Sequence, residues 1–170
     1  MEFSEVIKNR YSCKKFSGEQ VEKEKLEAIL EAGRVAPTAK NFQEHHIYVV
    51  QSERGLAAID KVTPCRYGAT TVLVVSYDKN NVFVYPGEKR TSGVEDVAIV
   101  ATHMMLAACN EGVDSCWINF FDPDELAKEL NLPENEEIVM LLDLGTAAEG
   151  TKPLENHDSR KGLEETVTYI

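Results

Sequence analysis

Near the start of the chain, Arg10-Tyr11-Ser12-Cys13-Lys14-Lys15-Phe16 alternates polar side chains in a way suited to an anion. On an extended backbone, Arg10, Ser12 and Lys14 point to one side. A guanidinium fork, a hydroxyl and an ammonium are donors that hold a phosphate. A solvated basic turn after a helix accounts for the same residues. The stretch Ala36-Pro37-Thr38-Ala39-Lys40-Asn41-Phe42-Gln43 carries side-chain amides. These can both donate and accept, as the edge of a heterocycle with carbonyl and imide groups requires. A helix-terminating loop explains them equally. Around Asn119 and Phe120, Asp114-Ser115-Cys116-Trp117-Ile118-Asn119-Phe120-Phe121-Asp122 could supply apolar walls and backbone N–H groups for a flat ring, or simply a core strand with a buried Trp. Leu144-Gly145-Thr146-Ala147 ends a strand at a glycine, where a ligand could approach the backbone. Arg160-Lys161 adds two cations, which an ordinary surface would also tolerate.

The elements that must position these residues follow from periodicity and caps. Residues 3–9 read as a short helix and 21–35 as a longer one, with Val21, Leu26, Ile29 and Leu30 on its apolar face. Pro37 stops it. Strands are expected at 46–51, 70–77, 114–119 and 137–144, and a short helix at 53–61. Ser92 and Glu95 have capping-box spacing and open a helix over 93–111 that is apolar nearly all round, placing it centrally or at a subunit interface. Asp122 and Pro123 start a further helix. TVTYI at 166–170 reads as a terminal β-like segment.

The chain has 170 residues, of which 43% are hydrophobic and 28% charged, as expected of one globular domain over 1–170. Its formal net charge of −11 excludes the basic footprint of a duplex-binding protein and disfavours anionic membranes. An anionic ligand would therefore need a local cluster of cations. No apolar stretch is long enough to cross a bilayer, and the N-terminus lacks the apolar region of a signal peptide. Cys13, Cys65, Cys109 and Cys116 form no C-x-x-C pair and read as reduced thiols, an expectation of cytoplasmic location. Neither glycine-rich phosphate loop is present, so a phosphate site must use side chains. The four histidines form no triad, His103 reads as a hydrogen-bonded core residue, and the carboxylates read as solvated faces.

In order, these segments resemble the nitroreductase-like FMN oxidoreductases. Arg10, Ser12 and Lys14 match an R-x-S-x-[RK] segment. Pro37, Thr38, Ala39, Asn41 and Gln43 match a P-[ST]-[AS]-x-N-x-Q loop. Gly112-Val113-Asp114 through Phe121-Asp122 match the segment beside the reactive flavin edge, and Leu144-Gly145 with Arg160 match the closing pair. The resemblance implies an α+β fold with a central, mostly antiparallel sheet flanked by helices. It implies a homodimer with FMN at the interface and the C-terminal strand exchanged between protomers. It implies that Arg10, Tyr11, Ser12, Lys14, Pro37, Thr38, Ala39, Asn41, Gln43, Asn119, Phe120, Gly145, Arg160 and Lys161 bind FMN, the 37–43 loop reaching it from the partner. Lys14 or Arg66 would place positive charge near the flavin pyrimidine. The implied activity is ping-pong hydride transfer from NADPH or NADH through FMN to a small nitroaromatic or quinone-type acceptor. An FMN storage or sensing module, or a dehalogenating or flavin-modifying relative, would show the same motifs. Three features depart from the pattern: Glu44-His45 replaces Pro-Trp after Gln43, Asp158 stands where some members are basic, and a covering insertion is reduced to residues 78–92.

Overall fold

The computed structural model describes residues 1–170. Its sheet has four strands, β1 (His45–Val50), β2 (Thr71–Asp78), β3 (Asp114–Ile118) and β4 (Glu136–Gly145), in the spatial order β1-β2-β4-β3. Every pairing is antiparallel. β2 is buried along almost its whole length because helices cover both faces of the sheet, which is why it reads as an unbroken β-branched run. A register shift interrupts the β2–β4 ladder between Val75 and Ser76.

The helices are α1 (Phe3–Asn9), α2 (Lys23–Arg34), α3 (Glu53–Val62), α4 (Gly93–Asn110), α5 (Pro123–Leu130) and α6 (Leu163–Thr166). On one face, α2 and α4 bury Leu26, Ile29, Val97, Val100 and Met104 against Leu73, Val75, Leu142 and Leu144. On the other, α3 and α5 bring Ile59 and Leu126 onto Val72, Val74, Ile118 and Leu141, with Cys13 and Phe16 packed beside them. The α+β architecture expected from the sequence is thus observed.

Local chemistry sets the element ends. Asp122 caps α5 by accepting from the Glu125 N–H at 3.0 Å, with Pro123 in the first turn. Ser52 caps α3 by accepting from Gly55. α2 begins two residues later than the apolar pattern suggests, after an extended Glu22.

Three expectations change. Ser92 precedes α4 but makes no capping bond; its hydroxyl accepts from the Phe83 N–H and donates to Glu44, while Glu95 takes the Tyr85 hydroxyl. His103 is exposed and its Nδ1 pairs with the Ile99 carbonyl, because its side of α4 faces away from the sheet. That same side carries the exposed Val94 and Ile99. Thr166 closes the short α6, and residues 167–170 extend from it without joining a strand of their own chain, leaving Tyr169 and Ile170 fully exposed. No helix is long and apolar enough to cross a membrane.

Candidate functional site along the edge strand

β3 is an edge strand, and residues 10–14 run beside it. Arg10 leaves α1 in an extended conformation. Ser12 forms a parallel bridge with Ser115, and the Cys13 N–H donates to the Ser115 carbonyl at 2.9 Å. Cys13 turns into the core, fully buried, so the residues on either side of it turn outward, as the alternation predicts. Arg10 and Tyr11 line a small cavity of about 120 Å³ with Asp114 and Cys109. Two residues farther along, the Lys14 ammonium donates to Cys116 Sγ at 3.2 Å and lies 4.7 Å from the centre of the Tyr67 ring. The far end of β3 delivers Asn119 and Phe120. Asn119 accepts from the Trp117 indole at 2.7 Å, and Phe120 stands 73% exposed. From Asp114 to Asn119 this row spans about 17 Å at the usual rise of a strand.

The electrostatics along the row are set by burial and by Lys14. Desolvation works against the Lys14 ammonium, but its contacts with Cys116 and Tyr67 outweigh that and hold its pKa above the ordinary lysine value. Burial pushes the Cys116 thiol up, opposed by Lys14. Tyr11 is held strongly protonated, first by burial and then by the Asp114 carboxylate. Asp114 itself is anchored by the Ala147 N–H at 2.8 Å.

The C-terminal segment folds back onto this region. The Ser17 N–H donates to the Thr146 carbonyl, the Ala148 N–H to the Lys15 carbonyl, and His157 meets the Tyr11 ring edge-on. Arg160 follows three residues later, but its guanidinium donates to the carbonyls of His157 and Ser159 rather than joining Arg10. Lys161 is exposed and forms no ion pair. The close approach expected at Gly145 is made by protein: a β-carbon there would lie 2.9 Å from the Phe16 ring. Arg66 is committed elsewhere, gripping Asp60 with two bonds and the Ala69 carbonyl with a third, so of Lys14 and Arg66 only Lys14 stands beside the row without a carboxylate partner.

The 37–43 loop lies apart from this row. It is anchored at the opposite end of α4: the Ala39 N–H donates to Asp96 Oδ1 at 2.9 Å in the first turn. Within it, Thr38 accepts from the Gln43 N–H, Gln43 donates to the Asn41 carbonyl, and Lys40, Asn41 and Gln43 have left-handed backbones. Pro37 and Asn41 are exposed. Asp96 and Cys109 are separated by about 20 Å of helix. One chain therefore gathers Arg10, Tyr11, Ser12, Lys14, Asn119 and Phe120 along one edge but holds Pro37, Thr38, Ala39, Asn41 and Gln43 away from them.

Sequence reasoning missed the burial of Asp143, Glu44 and Asp96. Asp143 lies on β4 in register with Cys116, fully buried, and neither of its oxygens has a partner. Glu44, named from the sequence only as a departure from Pro-Trp, is buried, and His45 is half-buried beside it. Reading carboxylates as solvated faces fails at these three. The available signal for Asp143 was a lone acid inside the apolar run EIVMLLDL.

Comparison with known proteins adds an independent line. The chain matches the Nitroreductase family over residues 7–67 and 64–146. A Methanothermobacter thermautotrophicus protein named NADH dehydrogenase/NAD(P)H nitroreductase is 27% identical over 168 residues, covering 93% of this chain and 85% of its own. A nitroreductase family protein from Clostridium difficile 630 superposes with a TM-score of 0.93 at 36% identity, covering 99% of this chain and 98% of the other. A Bacteroides fragilis nitroreductase solved with bound FMN superposes at 0.80 with 26% identity, covering 100% and 99%.

Proposed function

The chain belongs to the nitroreductase family, and on that premise we propose that it is an FMN-dependent oxidoreductase that passes hydride from NADPH or NADH to a small nitroaromatic or quinone-type acceptor. The observation that carries this reading is the row along β3. It offers a cationic end at Arg10, a hydroxyl at Ser12, an ammonium at Lys14 and an exposed backbone turn with an aromatic ring at Asn119-Phe120, in that order.

The donors fit the groups of FMN. Arg10 forms no ion pair with any carboxylate, so its donors remain available to a phosphate. Arg160 and Lys161 sit on the segment that His157 brings to Tyr11, and a turn of Arg160 away from the His157 and Ser159 carbonyls would add a second fork. Lys14 is half-buried at mid-row, where its charge is less screened than on the surface and would stabilise negative charge on a pyrimidine ring. Bound FMN supplies the hydride chemistry, while the protein orients the ring and shields it. Asn119 and Phe120 offer their backbone and an apolar wall to the ring edge.

The separated 37–43 loop and the open side of α4 support a homodimer. A second copy can bring its Pro37–Gln43 segment to the β3 row that the chain's own loop cannot reach. Association would also cover Val94, Ile99 and the projecting residues 167–170, which could add to the partner's sheet.

The test is reconstitution with excess FMN, desalting, and anaerobic addition of NADPH or NADH while the visible spectrum is followed. Retained flavin that bleaches, with reoxidation by a nitroaromatic or quinone in ping-pong kinetics, is expected. Retained flavin that stays oxidised with both nicotinamides would refute the reductase and favour a flavin-holding module. A protein that retains no flavin would refute the site.

A further inference from the structure

The loop that stands apart from the row is held by an unusual pair of acids. Glu44, which departs from the resemblance's Pro-Trp, joins the 37–43 loop to β1 and is 4% exposed. Asp96, in the first turn of α4, is 3% exposed. Glu44 Oε1 accepts from the Ser92 hydroxyl at 3.2 Å, and Asp96 Oδ1 accepts from the Ala39 N–H at 2.9 Å. The second oxygens, Glu44 Oε2 and Asp96 Oδ2, are buried and accept no hydrogen bond.

Both acids are buried and Asp96 acts on Glu44 through their side chains; two such carboxylates cannot both ionise cheaply, whereas one proton can be shared between them. No cation intervenes: neither acid forms a salt bridge. On α4, Glu95 is occupied by the Tyr85 hydroxyl. On β1, His45 has its Nδ1 buried without a partner, and burial lowers its pKa against the opposing pull of Asp96. From β2, Tyr77 lies opposite His45 and packs under Gly93. In the loop, the Lys40 ammonium is placed over the Phe83 ring. Burial first, then Asp96, raises the Glu44 pKa to about 7.

The loop needs such an anchor. Three of its residues, none of them glycine, have φ values of 52°, 57° and 54°, and such backbones persist only where the surroundings over-determine them. We propose that Glu44 and Asp96 share one proton, that this pair positions the 37–43 loop through the Ala39 N–H, and that losing the proton loosens the loop and weakens FMN binding. The FMN clause rests on the function proposed above; the proton-sharing clause does not. The sign follows from a raised acid pKa: the anchoring is full below the ordinary glutamate range and is lost as pH rises through about 7.

Two substitutions lock the proton in place. In Glu44→Gln the amide donates permanently to Asp96. In Asp96→Asn, Oδ1 still accepts from Ala39 while the amide donates to Glu44. The first readout needs no flavin: amide hydrogen exchange of residues 38–43 in the apoprotein, as the rate ratio of the parent chain to each variant. The ratio is expected near one at pH 4.5 and at least fivefold at pH 8.5. The second is the FMN Kd by flavin fluorescence quenching at the same pH values, where the parent chain should weaken at least fivefold relative to Glu44→Gln. Ionisation of the FMN phosphate affects all three proteins and cancels. An exchange ratio near one at both pH values overturns the proton-sharing pair, whatever FMN does. A changing exchange ratio with a flat Kd ratio overturns the coupling to FMN. A changing exchange ratio with no flavin bound by any of the three proteins upholds the pair and refutes the flavin site instead.

Discussion

Replacing Asp143 with Asn should stabilise the protein at neutral pH, and by an amount that grows with pH. Asp143 sits in the middle of the sheet between β2 and β3, in register with Val72 and Cys116. Both of its oxygens are buried and unbonded. The nearest cations have other commitments: Arg66 holds Asp60 and the Ala69 carbonyl, and Lys14 donates to Cys116. Burial therefore dominates and pushes the carboxyl from the ordinary 3.8 up to about 8, against the pull of Arg66 and Lys14. The folded protein keeps this acid protonated at pH 7, while the unfolded chain ionises it. Folding then binds a proton, so stability falls as pH rises from about 4 toward 8 and levels off above that. The slope is about 1.4 kcal/mol per pH unit for one proton, and the accumulated cost at pH 7 is at most about 4 kcal/mol. Asn is nearly isosteric and pays a similar cost for burying its amide, so that cost largely cancels against the neutral acid. The assay is urea unfolding of the apoprotein and of Asp143→Asn at half-unit steps from pH 5 to 9. The stability difference should climb at close to the one-proton slope up to about pH 7.5 and flatten above 8. A difference that is independent of pH, with the Asn variant the less stable, would mean that Asp143 is ionised and paired with Lys14 or Arg66, and the burial argument would be wrong.

Further outcomes follow from single contacts. Adding a β-carbon at Gly93 would place it 2.3 Å from the Tyr77 ring, so Gly93→Ala should cost about 1 to 3 kcal/mol in urea unfolding; an unchanged midpoint would refute the tight α4–β2 contact. Asp122→Ala removes the α5 cap and should cost about 1 kcal/mol by the same assay, with Asp122→Asn recovering most of it. Arg10→Ala and Lys14→Met should each weaken FMN binding about tenfold or more, measured by fluorescence quenching, the Arg10 loss being lessened for riboflavin, which lacks the phosphate. Equal losses for FMN and riboflavin would sink the phosphate role of Arg10.

Much of this protein is legible along the chain because its causes are local. Near-continuous apolar runs mark β2 and β4, the 3.6-residue apolar period marks α2, and Asp122-Pro123 marks the start of α5, since each signal depends only on neighbours within a turn or two. Arg10, Ser12 and Lys14 could be picked out for the same reason: an extended segment dictates which way its own side chains alternate. The pairing of that segment with β3 is another matter. It joins residues about a hundred positions apart, and nothing local to residue 14 announces that its ammonium meets Cys116. The buried acids were hidden more deeply. Ser92 and Glu95 have the spacing of a capping box, yet tertiary neighbours claim both, Glu44 and Phe83 on one side and Tyr85 on the other. A carboxylate's fate depends on whether water can reach it, and exclusion of water is a property of packed layers rather than of a stretch of chain. Asp143, Glu44 and Asp96 look in sequence like the other acids of a chain with net charge −11. Only the closing of helices over the sheet removes their solvent, and for Asp143 and Glu44 that burial is the first cause of a raised pKa.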